Sequence, residues 1–187
     1  MTELKAPDIY VALRELTASL VQLKADMATG QAQLKAEVDK QKQQLQVRQV
    51  AFSASLLAGG QLATTGPFPK DTTLIYKNII TNIGNAYNPN TGVFTAPLKG
   101  AYHFEWTVGA RGDNGAHSSA AGLVKNSEHI FMAWDEQETK HFGTASNGVT
   151  LLLEVGDVVF LRLVANTMAD DNAYHLTTFS GNLLFPM

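Results

Sequence analysis

Along residues 9–49 the apolar side chains return in steps of four and three: Ile9, Leu13, Leu16, Leu20, Leu23 and Met27. This is the heptad seam of a coiled coil. Leu13, Leu20, Met27 and Leu34 occupy one seam position and Ile9, Leu16 and Leu23 the other, with Gly30 where a large residue belongs. From Leu34 the seam continues at Val38 and Leu45; the added step of four is a stutter, which locally relaxes a supercoil. The positions between are Lys, Gln, Glu and Asp, a solvated face. After Pro7 the run holds no proline, so the pattern predicts a helix over 9–49 behind a tail of residues 1–8. Such a helix spans about 60 Å at 1.5 Å per residue. A single amphipathic helix lying on its own domain is the other reading, but no domain of the remaining size offers so long a surface. The stripe is therefore expected to pair with copies of itself or with a partner. Leucine at both seam positions leaves the strand number open.

From Val50 the period changes to two. Strands are predicted at 50–57, 74–81, 93–95, 101–108, 120–126, 129–134, 148–154, 158–165 and 177–185. Between them fall the turn residues Gly59-Gly60, Gly66-Pro67, Asn88-Pro89, Arg111–Gly115, Gly156-Asp157 and Ala169–Asn172. Many short strands with no helical period between them predict one all-β domain over 50–187, an antiparallel sandwich or jelly roll. Tyr102, Phe104, Trp106 and Val108 fall on one face of their strand and are expected in the core. Gly100 ahead of them is expected at positive φ. Gly156-Asp157 reads as a tight hairpin that fixes the register of its flanking strands.

Composition adds exclusions. The chain has 187 residues, 45% hydrophobic and 17% charged, a globular balance. A net charge of −3 gives no basic field for nucleic acid. Without cysteine there is no disulfide framework and no thiolate chemistry. No apolar run reaches the ~18–20 residues of a membrane span. The start, MTELKAPDIY, lacks a secretory leader, so a secreted protein is expected to be read here in mature or trimmed form.

The run NAYNPNTGVFTAPLKGAYHFEW (85–106) resembles the signature of the C1q globular-head family: Tyr87, Pro89, Thr91, Gly92, Phe94, Pro97, Gly100, Tyr102 and Phe104 match its pattern one by one. Three further blocks agree in order: VAFSASL with Phe52, SNGVTLLLEVGDVVFLRL with Gly156 and Asp157, and TTFSGNLLF with Phe179 and Gly181. The resemblance covers 50–187. It implies a ten-stranded jelly roll assembling as a compact homotrimer, similar to tumour necrosis factor. It also implies a secreted, extracellular recognition protein rather than an enzyme, engaging protein receptors or microbial and glycan ligands in innate immunity or signalling. A cytokine-like or cerebellin-like ligand that clusters a receptor is the alternative. The family's collagen stalk is absent and the coiled coil stands in its place, as in cerebellin-like and fish C1q-like proteins. The cerebellin cysteines are missing, so disulfide-linked hexamers are not expected. A trimeric head and a heptad helix together favour three chains.

Candidate chemistry is sparse. The histidines, His103, His117, His129, His141 and His175, show no metal-ligand spacing, and Ser53 and Ser55 sit in no Gly-x-Ser-x-Gly elbow. A metal-dependent jelly-roll enzyme has no ligand set to stand on. Arg111-Gly112-Asp113, between Gly109 and Gly115, reads as an exposed loop of the kind integrins bind, or as ordinary Gly-Asp turn chemistry. Asp135 lies where the resemblance implies calcium. The second aspartate of that pattern is replaced by His141-Phe142-Gly143, although Glu136 and Glu138 carry oxygens. The alternative is a solvated acidic loop, and Asp170-Asp171-Asn172 carries the same two readings.

Overall fold

A computed structural model describes residues 6–57, 62–112, 118–136 and 141–187. The chain divides into two units, Met1–Gln46 and Val47–Met187. The first is a single helix, α1 (Ala6–Val47), of 42 residues. Pro7 and Asp8 lie in its first turn, where a missing N–H is harmless and a carboxylate meets the positive end of the dipole. Gln22 Nε2 donates to Asp26 Oδ1 at 2.9 Å, an i,i+4 brace on the exposed surface. No helix of the described residues is long and apolar enough to cross a membrane.

The second unit contains thirteen strands among the described residues: β1 (Ala51–Ser55), β2 (Ala63–Thr65), β3 (Thr72–Thr73), β4 (Asn78–Ile83), β5 (Tyr87–Asn88), β6 (Val93–Thr95), β7 (Gly100–Arg111), β8 (Ser119–Lys125), β9 (Glu128–Asp135), β10 (Phe142–Leu153), β11 (Val158–Leu163), β12 (Ala169–Asp171) and β13 (Thr178–Pro186). One sheet runs β10-β7-β13-β1-β4; the other runs β5-β6-β11-β8-β9, with β3 also on β11; β12 and β2 form a separate ribbon. All pairings are antiparallel, and the chain crosses between the sheets as a jelly roll does. The two sheets hold five and six strands, and the nine predicted strands correspond to β1, β4, β6–β11 and β13; β2, β3, β5 and β12, of two or three residues each, are too short to show an alternation.

The alternation in β7 reads as predicted. Tyr102, Phe104, Trp106 and Val108 are buried, while Glu105 is exposed. Their rings join a cluster from both sheets: Phe52 stacks on Tyr87 at 4.7 Å, and Phe179 meets Phe52 edge-on at 4.9 Å. Phe94 packs edge-on against Phe104 at 5.2 Å. Such pairs add about 0.5–1.5 kcal/mol beyond their buried area. Most polar tips in this core are satisfied; the buried Tyr76 Oη has no hydrogen-bond partner among the described residues. Trp106 Nε1 donates to the Ala121 carbonyl at 3.0 Å, and Tyr102 Oη to the Leu98 carbonyl at 2.8 Å. Tyr87 Oη donates to the Tyr76 carbonyl and accepts from the Tyr76 N–H, both at 3.1 Å. Burial pushes the Tyr87 phenol up to about 12, against a smaller lowering by the Tyr76 backbone bond.

Several expectations need correction. Leu74–Lys77 is not part of a strand: it crosses from one sheet to the other, its ends tied by Leu74 N to the Leu161 carbonyl at 2.9 Å and Lys77 N to the Leu56 carbonyl at 3.2 Å. β10 begins at Phe142 rather than 148, because pairing with β7 carries a stretch whose small polar residues show no hydrophobic period. Gly156-Asp157 is not a hairpin between paired strands. β10 pairs with β7 and β11 with β6, β8 and β3, so the turn passes the chain between sheets. Gly156 does take φ 88°, and Asp157 anchors the turn. Its carboxylate accepts from Asn126 Nδ2 at 3.1 Å, Glu154 N at 3.0 Å and Lys125 Nζ at 3.0 Å. The Asn126 bond, then the Glu154 amide and Lys125, holds this carboxyl below its ordinary value. Gly100 is absent from the positive-φ residues, and its requirement is space: a Cβ there would lie 2.6 Å from the Phe185 carbonyl oxygen. Positive φ belongs instead to Gly92, at 76°, where a Cβ would lie 2.3 Å from the Leu74 carbonyl oxygen.

Three outcomes follow for stability. Phe104→Ala should cost about 3–5 kcal/mol, as large aromatic truncations in closed cores do. Gly100→Val should destabilise despite its ordinary backbone, and equal chemical-denaturation midpoints for parent and both variants would contradict the packing described. The Tyr87 phenol is raised in the folded state, so its contribution is fully present below pH ~10 and lost as pH rises through about 12. Melting temperature should therefore fall across that window, with a delayed tyrosinate absorbance that Tyr87→Phe removes.

Candidate binding surfaces

Among the described residues, the apolar seam of α1 is exposed along its length. Ile9, Leu13, Leu16, Leu20, Leu23, Met27, Leu34, Val38 and Leu45 are all exposed, from Val38 at 39% to Leu16 at 72%. Full burial of one such side chain is worth about 1.5–3 kcal/mol. Tyr10, Val11 and Val21 are exposed as well, off the seam, so the outer face of the first turns is less polar than the sequence pattern implies.

On the head, Arg111 and Gly112 do not lie in an open loop flanked by Gly109. Gly109 is a buried residue of β7, and Arg111 closes that strand opposite Phe142. A Cβ on Gly109 would lie 2.7 Å from Thr144 Cγ2 and 3.0 Å from the Phe142 ring, which explains a glycine inside the strand. Arg111 is exposed and Gly112 buried, with Gly112 N donating to the His141 carbonyl at 3.0 Å. Asp113 lies outside the described residues.

Asp170 and Asp171 are likewise not a solvated loop. They lie in β12, are 3% and 0% exposed, and accept from backbone amides, with Asp170 Oδ1 buried and without a hydrogen-bond partner among the described residues. Asp170 Oδ2 accepts from Arg111 N at 2.8 Å; Asp171 Oδ2 accepts from Leu57 N at 2.9 Å and Oδ1 from Thr177 N at 3.4 Å. A turn composition therefore concealed two buried anchors.

Asp135 ends β9 opposite Ser119 and is half-buried. Glu138 lies outside the described residues, and His141 precedes β10, in which Phe142 and Gly143 take part. Among the described residues no three His, Asp or Glu side chains converge as a metal site would require. His103 sits on the outward face of β7, 3.1 Å from Thr150 Oγ1 and 3.2 Å from Glu105 Oε1. His117 is outside the described residues.

One contact escaped sequence reasoning. Ser55 Oγ lies 2.9 Å from His175 Nδ1, although 120 residues separate them. Asn78 Nδ2 donates to the same hydroxyl at 2.9 Å, and Ser55 is only 1% exposed. A nucleophile so enclosed has no approach for a substrate; the pair fastens the 172–177 turn to β1. The outward aromatics are a second feature missed: Phe131 and Trp134 on edge strand β9 and Phe142 on β10 are 48%, 53% and 41% exposed.

Comparison with known proteins agrees with this architecture. The family model described as C1q domain matches residues 51–184. The mouse complement C1q tumor necrosis factor-related protein 3 is 31% identical over 137 residues, covering 73% of this chain and 52% of the relative, so the chain spans about half of that protein's length. Among solved structures, the globular domain of zebrafish complement 1qA is similar with TM-score 0.56 at 17% identity, over 74% of this chain and 99% of that one. The Eiger TNF of S. frugiperda gives TM-score 0.58 at 11% identity, over 75% and 95%, and murine APRIL at pH 5.0 gives 0.56 at 8%, over 73% and 99%. At these identities the structural likenesses establish the fold alone. The residue signature, the two-sheet jelly roll and the family match converge: this chain belongs to the C1q domain family.

Proposed function

We infer that the protein is an extracellular homotrimer in which α1 forms a parallel three-stranded coiled coil and holds three C1q heads for multivalent recognition. The observation that carries this reading is the seam: seven large apolar side chains in heptad register from Ile9 to Leu34, continued past a stutter by Val38 and Leu45, all exposed in the single chain. Three copies meeting along that seam cover it, while the Lys, Gln and Glu positions stay in water. The head supports the same state through Phe131, Trp134 and Phe142, which a neighbouring head can cover.

Recognition by such a particle works through linkage. Once one head is engaged, the second and third meet ligand sites at a high effective concentration, and avidity can exceed single-site affinity by about 10²–10⁴. Repetitive surfaces, such as microbial polymers and glycan arrays, are the targets such geometry favours.

Two measurements test the proposal. Light scattering should give three copies of the 20.2 kDa chain. Leu16→Asp with Leu23→Asp should shift the mass toward the monomer while the β-sheet circular dichroism of the head persists. A monomeric parent at micromolar concentration would sink the assembly. On arrays of glycans and bacterial polymers the parent should bind, and the double variant should lose at least about tenfold in apparent affinity. An assembled protein that ignores every array but is retained by cell-surface receptors points to receptor clustering instead.

A further inference from the structure

The head carries a cavity of about 260 Å³ beside the Leu74–Lys77 crossing segment. Its depth is apolar: Leu74 is 1% exposed, and Leu57, Phe68 and Ile75 form half-buried walls. The polar groups are few and sit among these walls. Thr72 Oγ1 is committed to the Lys70 carbonyl at 2.9 Å, leaving the hydroxyls of Thr65 and Thr73. At the rim stands Lys77, exposed and, among the described residues, without a carboxylate partner. The nearest carboxylate in sequence, Asp71, is occupied by Ala165 N at 2.9 Å.

An apolar pocket with one unpaired ammonium and two hydroxyls has a definite complement. The walls take a short hydrocarbon, and the ammonium takes a single negative charge at the mouth. The volume falls below the ~300–1,000 Å³ of sites for larger ligands, which fits a body of about eight carbons or fewer. We propose that this pocket binds a small aliphatic carboxylate, its chain against Phe68, Leu57 and Ile75 and its carboxylate on Lys77. The proposal does not rest on the trimeric stalk, because every residue it uses belongs to one head.

The test uses the full-length protein and sodium octanoate, followed by calorimetry and ligand-observed NMR. Octanoate should bind saturably, and each methylene removed should weaken it about fourfold, so hexanoate binds about fifteenfold less tightly. Lys77→Gln should weaken octanoate about tenfold, the loss of one charge-assisted contact, and leave octanol unchanged. Ile75→Asp should abolish binding of both ligands while light scattering still reports the parent's mass. Octanoate that fails to saturate below about 10 mM overturns the proposal. So does octanoate binding that is indifferent to Lys77→Gln, which would place the ligand on another apolar surface such as the exposed seam of α1.

Discussion

A helix of 42 residues whose apolar stripe meets only water is the constraint from which the remaining reading follows. Helices in proteins take most of their stability from the face they bury, not from intrinsic propensity. Here the seam side chains are exposed along the whole element, from Ile9 to Leu45. The head cannot supply the missing surface, because an apolar stripe of about 60 Å exceeds any face of a domain this size. In the proposed trimer, self-association resolves the mismatch by knobs entering holes on identical neighbours, as heptad spacing allows. Gly30 and the stutter after Leu34 mark where that packing loosens.

The head depends on a different contact, the ring cluster that joins its two sheets. Phe52 is the hub: it meets Tyr87 and Phe94 from one side and Phe104 and Phe179 from its own sheet. Close packing of this kind forces small residues at fixed places. A Cβ on Gly181 would lie 2.5 Å from the Phe104 ring and 2.8 Å from the Phe52 ring. The signature residues of the sequence are thus mostly core geometry, in which rings need neighbouring glycines to approach. Function is left to the surface, where Lys77, Trp134 and the seam of α1 lie.

Much of this was legible because two periodicities dominate the chain. The 3–4 spacing announced α1, and the every-second-residue aromatics announced β7 with its buried face. What stayed hidden was non-local. Asp170 and Asp171 look like turn residues, yet they are buried because their oxygens accept amides from Arg111, Leu57 and Thr177. Gly156-Asp157 has hairpin composition, yet its flanking strands belong to different sheets, a matter of pairing that no local pattern encodes. Ser55 and His175 meet across 120 residues. The pocket at Lys77 is invisible for the same reason, since its walls come from separated segments around Leu57, Phe68 and Ile75.

In the proposed assembly α1 pairs with copies of itself in parallel, placing the heads at one end. Because the chain has no cysteine, a single Lys40→Cys variant can carry one spin label per copy. Helices packed about 8–10 Å apart in parallel bring identical positions together, so pulsed electron paramagnetic resonance should give one interspin distance below about 30 Å. Antiparallel pairing of the same helices would place position 40 opposite position 13 and give about 40 Å. That longer distance, or no dipolar coupling at all, would contradict the parallel stalk.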